Sequence, residues 1–308
     1  MDKTKRGIAL FITLLVIASI LSIVAVSFSY LEKVQKDAGK VSALIQGNLL
    51  YKNTTEILKR FFPKGKVDNK RLEMLYSLPL MLSEPKSGFN INLQCKPLLI
   101  GVPIKWLDET FTEKFPARLE LAQKVLTEVM NLYEIEEPNR LEELIISEVR
   151  GKKDSNSEYE PRLRQKAGVV SKKQFDRIIV DYRLKYDDTN VFNVPWNRYF
   201  SFIDVSRKAV IDGAYVSSEL ISLAFEIPLE SVKDDWQKEK SIEEDKQTLS
   251  EFLSQNLSGE PIDNTLFSPN ALSIMHCEQS YLYQEKYYRF SFDYTDERSV
   301  NFEFNGEI

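Results

Sequence analysis

From Ile8 to Tyr30 no charged residue interrupts IALFITLLVIASILSIVAVSFSY, 23 residues of which 18 are apolar. As a helix this run is about 35 Å long at 1.5 Å per residue, enough to cross the roughly 30 Å hydrocarbon layer of a bilayer with some tilt. From Leu31 the pattern becomes one-sided. Leu31, Val34, Ala38, Val41, Leu44, Ile45, Leu49, Ile57, Leu58, Phe61 and Phe62 recur mostly at three- and four-residue steps, and Glu32, Lys33, Lys36, Asp37 and Lys40 take the other face. One helix is therefore predicted over 8–62, with Gly39 and Gly47 as weak points and Pro63-Lys64-Gly65 as its stop. Its amphipathic half, 31–62, is expected to pack on the chain's own sheet. A juxtamembrane coiled coil fits the same periodicity, but strict heptads are not sustained.

The pattern changes again beyond 63. FNINLQC alternates Phe89, Ile91, Leu93 and Cys95 against polar residues and predicts a half-buried strand. RLELAQKVLTEVMNLYEI and, after Pro138, NRLEELIISEVRG predict amphipathic helices, with Gly151 as a C-terminal stop. KKDSNSEYEP reads as an exposed loop, and Ser171 as the cap of the helix KKQFDRIIVDYRLKY. SSELISLAFEI and EEDKQTLSEFLSQNL add two more helices. After Ser258-Gly259-Glu260-Pro261, LSIMHCEQSYLYQ, KYYRFSFDY and SVNFEFN predict a terminal antiparallel meander, since Tyr288, Phe290 and Phe292 alternate, as do Val300, Phe302 and Phe304. A strand, a block of helices and then strands describe an α+β fold with a mostly helical insertion. The implied division is 1–7, a transmembrane helix over 8–30, a stem over 31–62, the start of an α+β domain over 63–104, a helical insertion over 105–258, and closing strands over 259–308.

Composition narrows the chemistry. Eleven Gly and no Gly-x-Gly leave little material for a phosphate-cradling loop, and a single His, His276, nearly closes off imidazole metal sites. A net charge of −5 spread along the chain opposes nucleic-acid binding, which needs clustered Lys and Arg. His276 and Cys277 are adjacent, but on a strand they point to opposite faces and form no dyad. The acidic runs Glu142–Glu143 and Glu243–Glu244–Asp245 read as solvated helix faces, with no acid and base set across a cleft. Cys95 and Cys277 lie 182 residues apart on strands flanking the helical block. In an exported chain they are either bridged or two buried thiols, and both readings stay open. The aromatic-rich VFNVPWNRYFSFIDV, with Phe192, Trp196, Tyr199, Phe200 and Phe202, reads first as packing between helical block and sheet, and second as a binding platform.

Ahead of the apolar run stand Lys3, Lys5 and Arg6, which place the N-terminus in the cytoplasm and the bulk on the far side of the membrane. Lys5-Arg6-Gly7-Ile8-Ala9-Leu10 resembles the class III signal of type IV prepilins and type II secretion pseudopilins. The resemblance implies that a prepilin peptidase cuts between Gly7 and Ile8, that Ile8 becomes the N-methylated first residue, and that the apolar helix is kept. Most members carry Glu five residues after the cut; here that position is Ile12. A carboxylate in the hydrocarbon layer is costly without a partner, and a subunit with none above it gains nothing from one. The missing Glu and the RGIALFITLLVIASIL string are similar to the K-type minor pseudopilins of general secretion pathways, and so is the layout of stem, pilin-like sheet and inserted helical domain.

That resemblance implies a non-catalytic tip subunit in the bacterial inner membrane, single-pass, with most of the chain periplasmic. Its implied partners are the I- and J-type minor pseudopilins and the prepilin peptidase, with no nucleic acid and no small-molecule substrate. Calcium is implied by the resemblance alone. Tyr186–Asn190 and Asp293–Glu297 are the turn-like candidates, neither matches an EF-hand, and no metal ligands are assigned. The competing readings are a signal-anchored periplasmic binding or sensor domain, a membrane-tethered hydrolase whose site residues are not found, and a minor pilin of a type IV pilus.

Overall fold

A computed structural model describes residues 3–63, 68–84, 89–151, 168–236, 247–256, 263–295 and 298–307. One helix, α1 (Lys3–Phe61), runs for 59 residues without a break at Gly39 or Gly47, a length of about 88 Å. Among the described residues α2 (Asn69–Ser77) follows, and then the strands β1 (Leu80–Glu84) and β2 (Phe89–Pro97). Neither α2 nor β1 is foreseen from the sequence. Asp68 caps α2 by accepting from the Arg71 amide, and β1 pairs with β2 over its whole length.

The chain then leaves the sheet. β3 (Val102–Pro103), α3 (Glu109–Thr112), α4 (Pro116–Leu132), α5 (Pro138–Arg150), α6 (Lys172–Tyr186), α7 (Trp196–Tyr199), β4 (Phe200–Ser201), α8 (Ser218–Phe225), α9 (Leu229–Asp235) and α10 (Leu249–Asn256) form the helical block. The caps are as the sequence suggests: Pro138 opens α5, Gly151 closes it at φ +66°, and Ser171 accepts from the Gln174 amide at the head of α6. The proposed loop KKDSNSEYEP and the acidic run 243–245 lie outside the described residues.

The chain returns as β5 (Met275–Tyr283), β6 (Lys286–Thr295) and β7 (Arg298–Glu307). The sheet order is β1-β2-β5-β6-β7, antiparallel at each pairing. The helical block is thus inserted between two neighbouring strands, leaving at Pro97 and rejoining at Met275, which are partners in register.

Among the described residues two large buried cores result, with a small third cluster at Leu99, Ile203 and Val205. One belongs to the helical block and centres on Trp106, Leu126, Ile145, Phe175, Tyr182 and Leu220. The other lies under the sheet, where Ile91, Leu93, Tyr281, Phe290 and Phe292 meet Ala43, Leu50 and Leu58 of α1 and Phe62 just beyond it. The architecture is α+β: a long apolar helix, an antiparallel sheet and a mainly helical insertion.

Candidate assembly surface

α1 carries two different surfaces in series. Its lower half is bare: the most apolar 18-residue stretch is 0% buried against the rest of the protein. Ile12, in the position where the resemblance looks for Glu, is 54% exposed among equally exposed Phe11, Leu15 and Val16. Three hydroxyls in this half are closed on the helix itself. Ser19, Ser22 and Ser27 donate to the carbonyls of Leu15, Ala18 and Ile23, each at 2.8 Å. Hydroxyls returned in this way to their own helix backbone suit a medium without water. The junction Gly7–Ile8 lies within α1, while Met1 and Asp2 of the proposed leader fall outside the described residues.

The upper half sits on the sheet, but not through the face the periodicity suggests. The residues turned inward are Ala43, Gly47, Leu50, Thr54, Leu58 and Phe62. Small and polar members let the helix approach closely. A methyl group on Gly47 would lie 3.0 Å from the Tyr281 hydroxyl, and that hydroxyl donates to the Ala43 carbonyl. Burial pushes the Tyr281 phenol up to about 12, so it remains a donor. Two turns beyond Gly47, Thr54 Oγ1 donates to Gln279 Oε1 at 2.7 Å, and Thr55 meets the Ser299 hydroxyl at 2.7 Å. These bonds fix the register of helix on sheet. Leu31, Val34, Val41, Ile45 and Leu49, the strongest members of the stripe read from the sequence, remain exposed. The half 31–62 does pack on the sheet, but of that stripe only Leu58 and Phe62 are buried there. α1 is apolar on two opposed faces, and the sheet takes the one rich in small residues.

The contacts also orient the domain on α1. Gln284, in the β5–β6 turn, lies beside Gly39, nearest the bare half, whereas Gln279 and Ser299 meet Thr54 and Thr55 higher up. Pro97 and Met275 are at the upper end of their strands, so the helical block leaves from the end of the sheet remote from the apolar run.

Cys95 and Cys277 face each other across β2 and β5, are fully buried and are joined as a disulfide, with 4.1 Å between their Cα atoms. The bridge sits two residues inside the point where the helical block departs. His276 points to the other face, where Nδ1 lies 2.7 Å from Asp293 Oδ1. That hydrogen bond raises the imidazole above its ordinary value against the opposing effect of burial. With Cys277 bonded to Cys95, no free thiol stands beside the imidazole.

The two turn-like acidic segments are engaged internally. Asp188 is buried; its carboxylate accepts from the amides of Glu136 and Asn190 and from the Tyr182 hydroxyl, at 3.0, 2.9 and 3.1 Å. Asp293 accepts from Asn301 Nδ2 at 2.8 Å besides its contact with His276; Asp296 and Glu297 lie outside the described residues. Among the described residues no three His, Cys, Asp or Glu side chains converge on one point. Glu142 and Glu143 line a shallow groove on α5 with Asn139, Ile146 and Arg150, and Glu143 pairs with Arg140 at 2.9 Å. In the aromatic segment Trp196, Tyr199, Phe200 and Phe202 are buried, and Trp196 Nε1 donates to the Val191 carbonyl; Phe192 stays exposed. The segment is packing, and it fills the helical block's own core.

No family profile matches the sequence, and no curated protein does. The fold does have a counterpart among solved structures. The structure superimposes on a chain in the crystal structure of the GspK-GspI-GspJ complex from the type 2 secretion system of enterotoxigenic Escherichia coli. The match covers 86% of this chain and 98% of that one, with a TM-score of 0.52 and 11% sequence identity. At that identity the likeness is one of fold.

Proposed function

We propose that this chain is a non-catalytic minor pseudopilin of the K type, a subunit of a type II secretion pseudopilus. The observation that carries the reading is the combination on one polypeptide of a bare apolar half-helix, a sheet seated on the same helix, and a helical block leaving the far end of that sheet. The likeness to a chain of a type 2 secretion complex supports it.

In this reading residues 8–30 anchor the chain in the bacterial inner membrane, with the N-terminus cytoplasmic and the domain periplasmic. Prepilin peptidase removes Met1–Gly7 and Ile8 is N-methylated. The helix leaves lipid by packing against sister helices, exchanging one dry environment for another. The large domain at the top of the stem and the absence of a Glu at Ile12 suit the end of the filament, where no subunit stands above. I- and J-type minor subunits are its neighbours, and its work is to start assembly and so support export of folded proteins.

The test is Gly7→Ala in a host with an active prepilin peptidase. Intact mass of the purified chain should show Met1–Gly7 retained in the variant, and removed with Ile8 methylated in the parent. A parent chain that keeps its first seven residues is instead a signal-anchored periplasmic domain.

A further inference from the structure

Six non-glycine residues among those described have a left-handed backbone. Glu134, Asp187 and Glu226 close helices, and Gln284 and Glu285 form the two-residue turn between β5 and β6, all places where such a backbone is ordinary. Asn301, at φ +55°, stands instead inside β7. Ser291 pairs with Glu303 and Asp293 with Val300, so Asn301 and Phe302 together oppose Phe292. The extra residue makes a bulge, which bends a strand and re-aims a side chain. Here the Asn301 amide is aimed at two elements at once. Its Nδ2 donates to Asp293 Oδ2 on β6 at 2.8 Å and to the carbonyl of Val170, in the helical block just ahead of α6, at 3.3 Å. The two hydrogens of one amide nitrogen serve the two acceptors. His276 holds the other oxygen of Asp293, so the carboxylate is fixed from both sides. Two residues along β7, Glu303 meets Lys173 in the first turn of α6 at 2.8 Å. Both links run from the outer face of the sheet, the side away from α1, to the head of α6.

The helical block has two other attachments, nearer β2. The chain crosses at Pro97 and Met275, on β2 and β5, beside the Cys95–Cys277 bridge. On the inner face Tyr215 of the block stands edge-on to Tyr76 of α2, with ring centroids 5.0 Å apart. The links on β7 lie two strands, or about 10 Å, beyond β5. Two attachments leave a body an axis about which to turn, and a third off that line removes it. The crossing is covalent and the tyrosine contact belongs to the core under the sheet. The third attachment is a hydrogen bond from an exposed residue and an exposed ion pair, weak contacts of the kind that open locally. We propose that the bulge at Asn301 is a releasable clasp that sets the tilt of the helical block on the sheet. Closed, it holds the block in the one orientation described. Open, the block turns about the line from the strand crossing to the Tyr76–Tyr215 contact, with its own core intact. The inference goes beyond the pseudopilin reading and does not rest on it, since every contact lies within this chain.

The test is the distance between two spin labels on the full-length chain in detergent, read by pulsed dipolar spectroscopy. The labels go on Glu128→Cys in α4 and Tyr287→Cys in β6, both exposed positions; the chain's own cysteines are bonded to each other and take no label. The labelled parent should show one narrow distance. Asn301→Gly keeps the left-handed backbone and removes the amide; it should broaden the distribution about twofold, because the bond to the ionised Asp293 is the stronger link. Asn305→Gly makes the same change of residue at another exposed position of β7 and should leave the parental width. A parental width in N301G overturns the clasp. So does equal broadening in N305G, which makes the effect one of strand stability. A charge exchange is the second measure. Glu303→Lys sets a like charge against Lys173 and should broaden the distribution, and Lys173→Glu added to it should restore the parental width; no recovery overturns the proposal. Tryptophan emission, which reports the core of the helical block, should stay native in N301G. A shifted emission means that the block unfolds rather than turns, and overturns the inference.

Discussion

The two cores of this protein are built on different plans. The core of the helical block comes from residues between Val102 and Phe267 and closes on itself. The core under the sheet is assembled from the stem, α2, both ends of the sheet, and Ala214, Tyr215 and Ala271 lent by the helical block. The first lies within one stretch of chain, whereas the second depends on contacts more than 200 residues apart, such as Thr54 with Gln279. The comparison teaches that the stem is structural twice over. It carries the bare apolar run, and it is also the cover without which one face of the sheet is open.

A charge under the sheet separates the two cores most sharply. Leu50→Asp buries a carboxylate with no partner, which costs on the order of 4 kcal/mol or more. The three tryptophans, Trp106, Trp196 and Trp236, all lie in the helical block's core, so their fluorescence reports on that core alone. The variant should lose the near-ultraviolet signal of the sheet tyrosines while tryptophan emission stays native. A joint red shift would show that the cores fold as one unit.

The next largest effect is at the border between them. Cys95→Ala with Cys277→Ala opens the loop that holds the whole insertion and should lower stability by about 2–4 kcal/mol, read from the denaturant midpoint in both the tryptophan and tyrosine signals.

The smallest effect is titration of His276. Its partner Asp293 raises the folded value above the ordinary 6.5, assisted by Glu278 and opposed by burial and Lys96. The imidazolium therefore contributes fully below about pH 6.5, and the contribution is lost as pH rises through the folded value. Thermal melts should fall slightly from pH 6 to pH 8.5, and His276→Asn should flatten the difference.

Strong local patterns were legible in the sequence. The alternation of Tyr288, Phe290 and Phe292 marked β6, the caps Ser171 and Gly151 marked helix ends, and the uncharged run marked the bare half of α1. What escaped depends on partners remote along the chain. Gly47 reads as a weak point of a helix, yet it is the place where Tyr281 must fit. The two cysteines admitted two readings until strand register set them opposite one another. Of the stem's inward residues only Leu58 and Phe62 belong to the stripe the periodicity shows, because Ala43, Gly47 and Thr54 form a poor hydrophobic pattern while the outward Val41, Ile45 and Leu49 form a good one. The segment of α2 and β1 has no clear period, and its structure comes from β2 beside it. Of the candidate site residues, Cys95 and Cys277 meet, whereas the acidic turns bind their own backbone and side-chain neighbours.

The insertion leaves and rejoins the sheet at neighbouring strands, with a covalent bridge of 4.1 Å Cα separation just below the junction. A tensile load applied along α1 passes into the sheet and out again without crossing the helical block, which hangs from the bridge as a side branch. Traction on the stem can strip helix from sheet, but it cannot unravel the appended domain until a covalent bond has been broken.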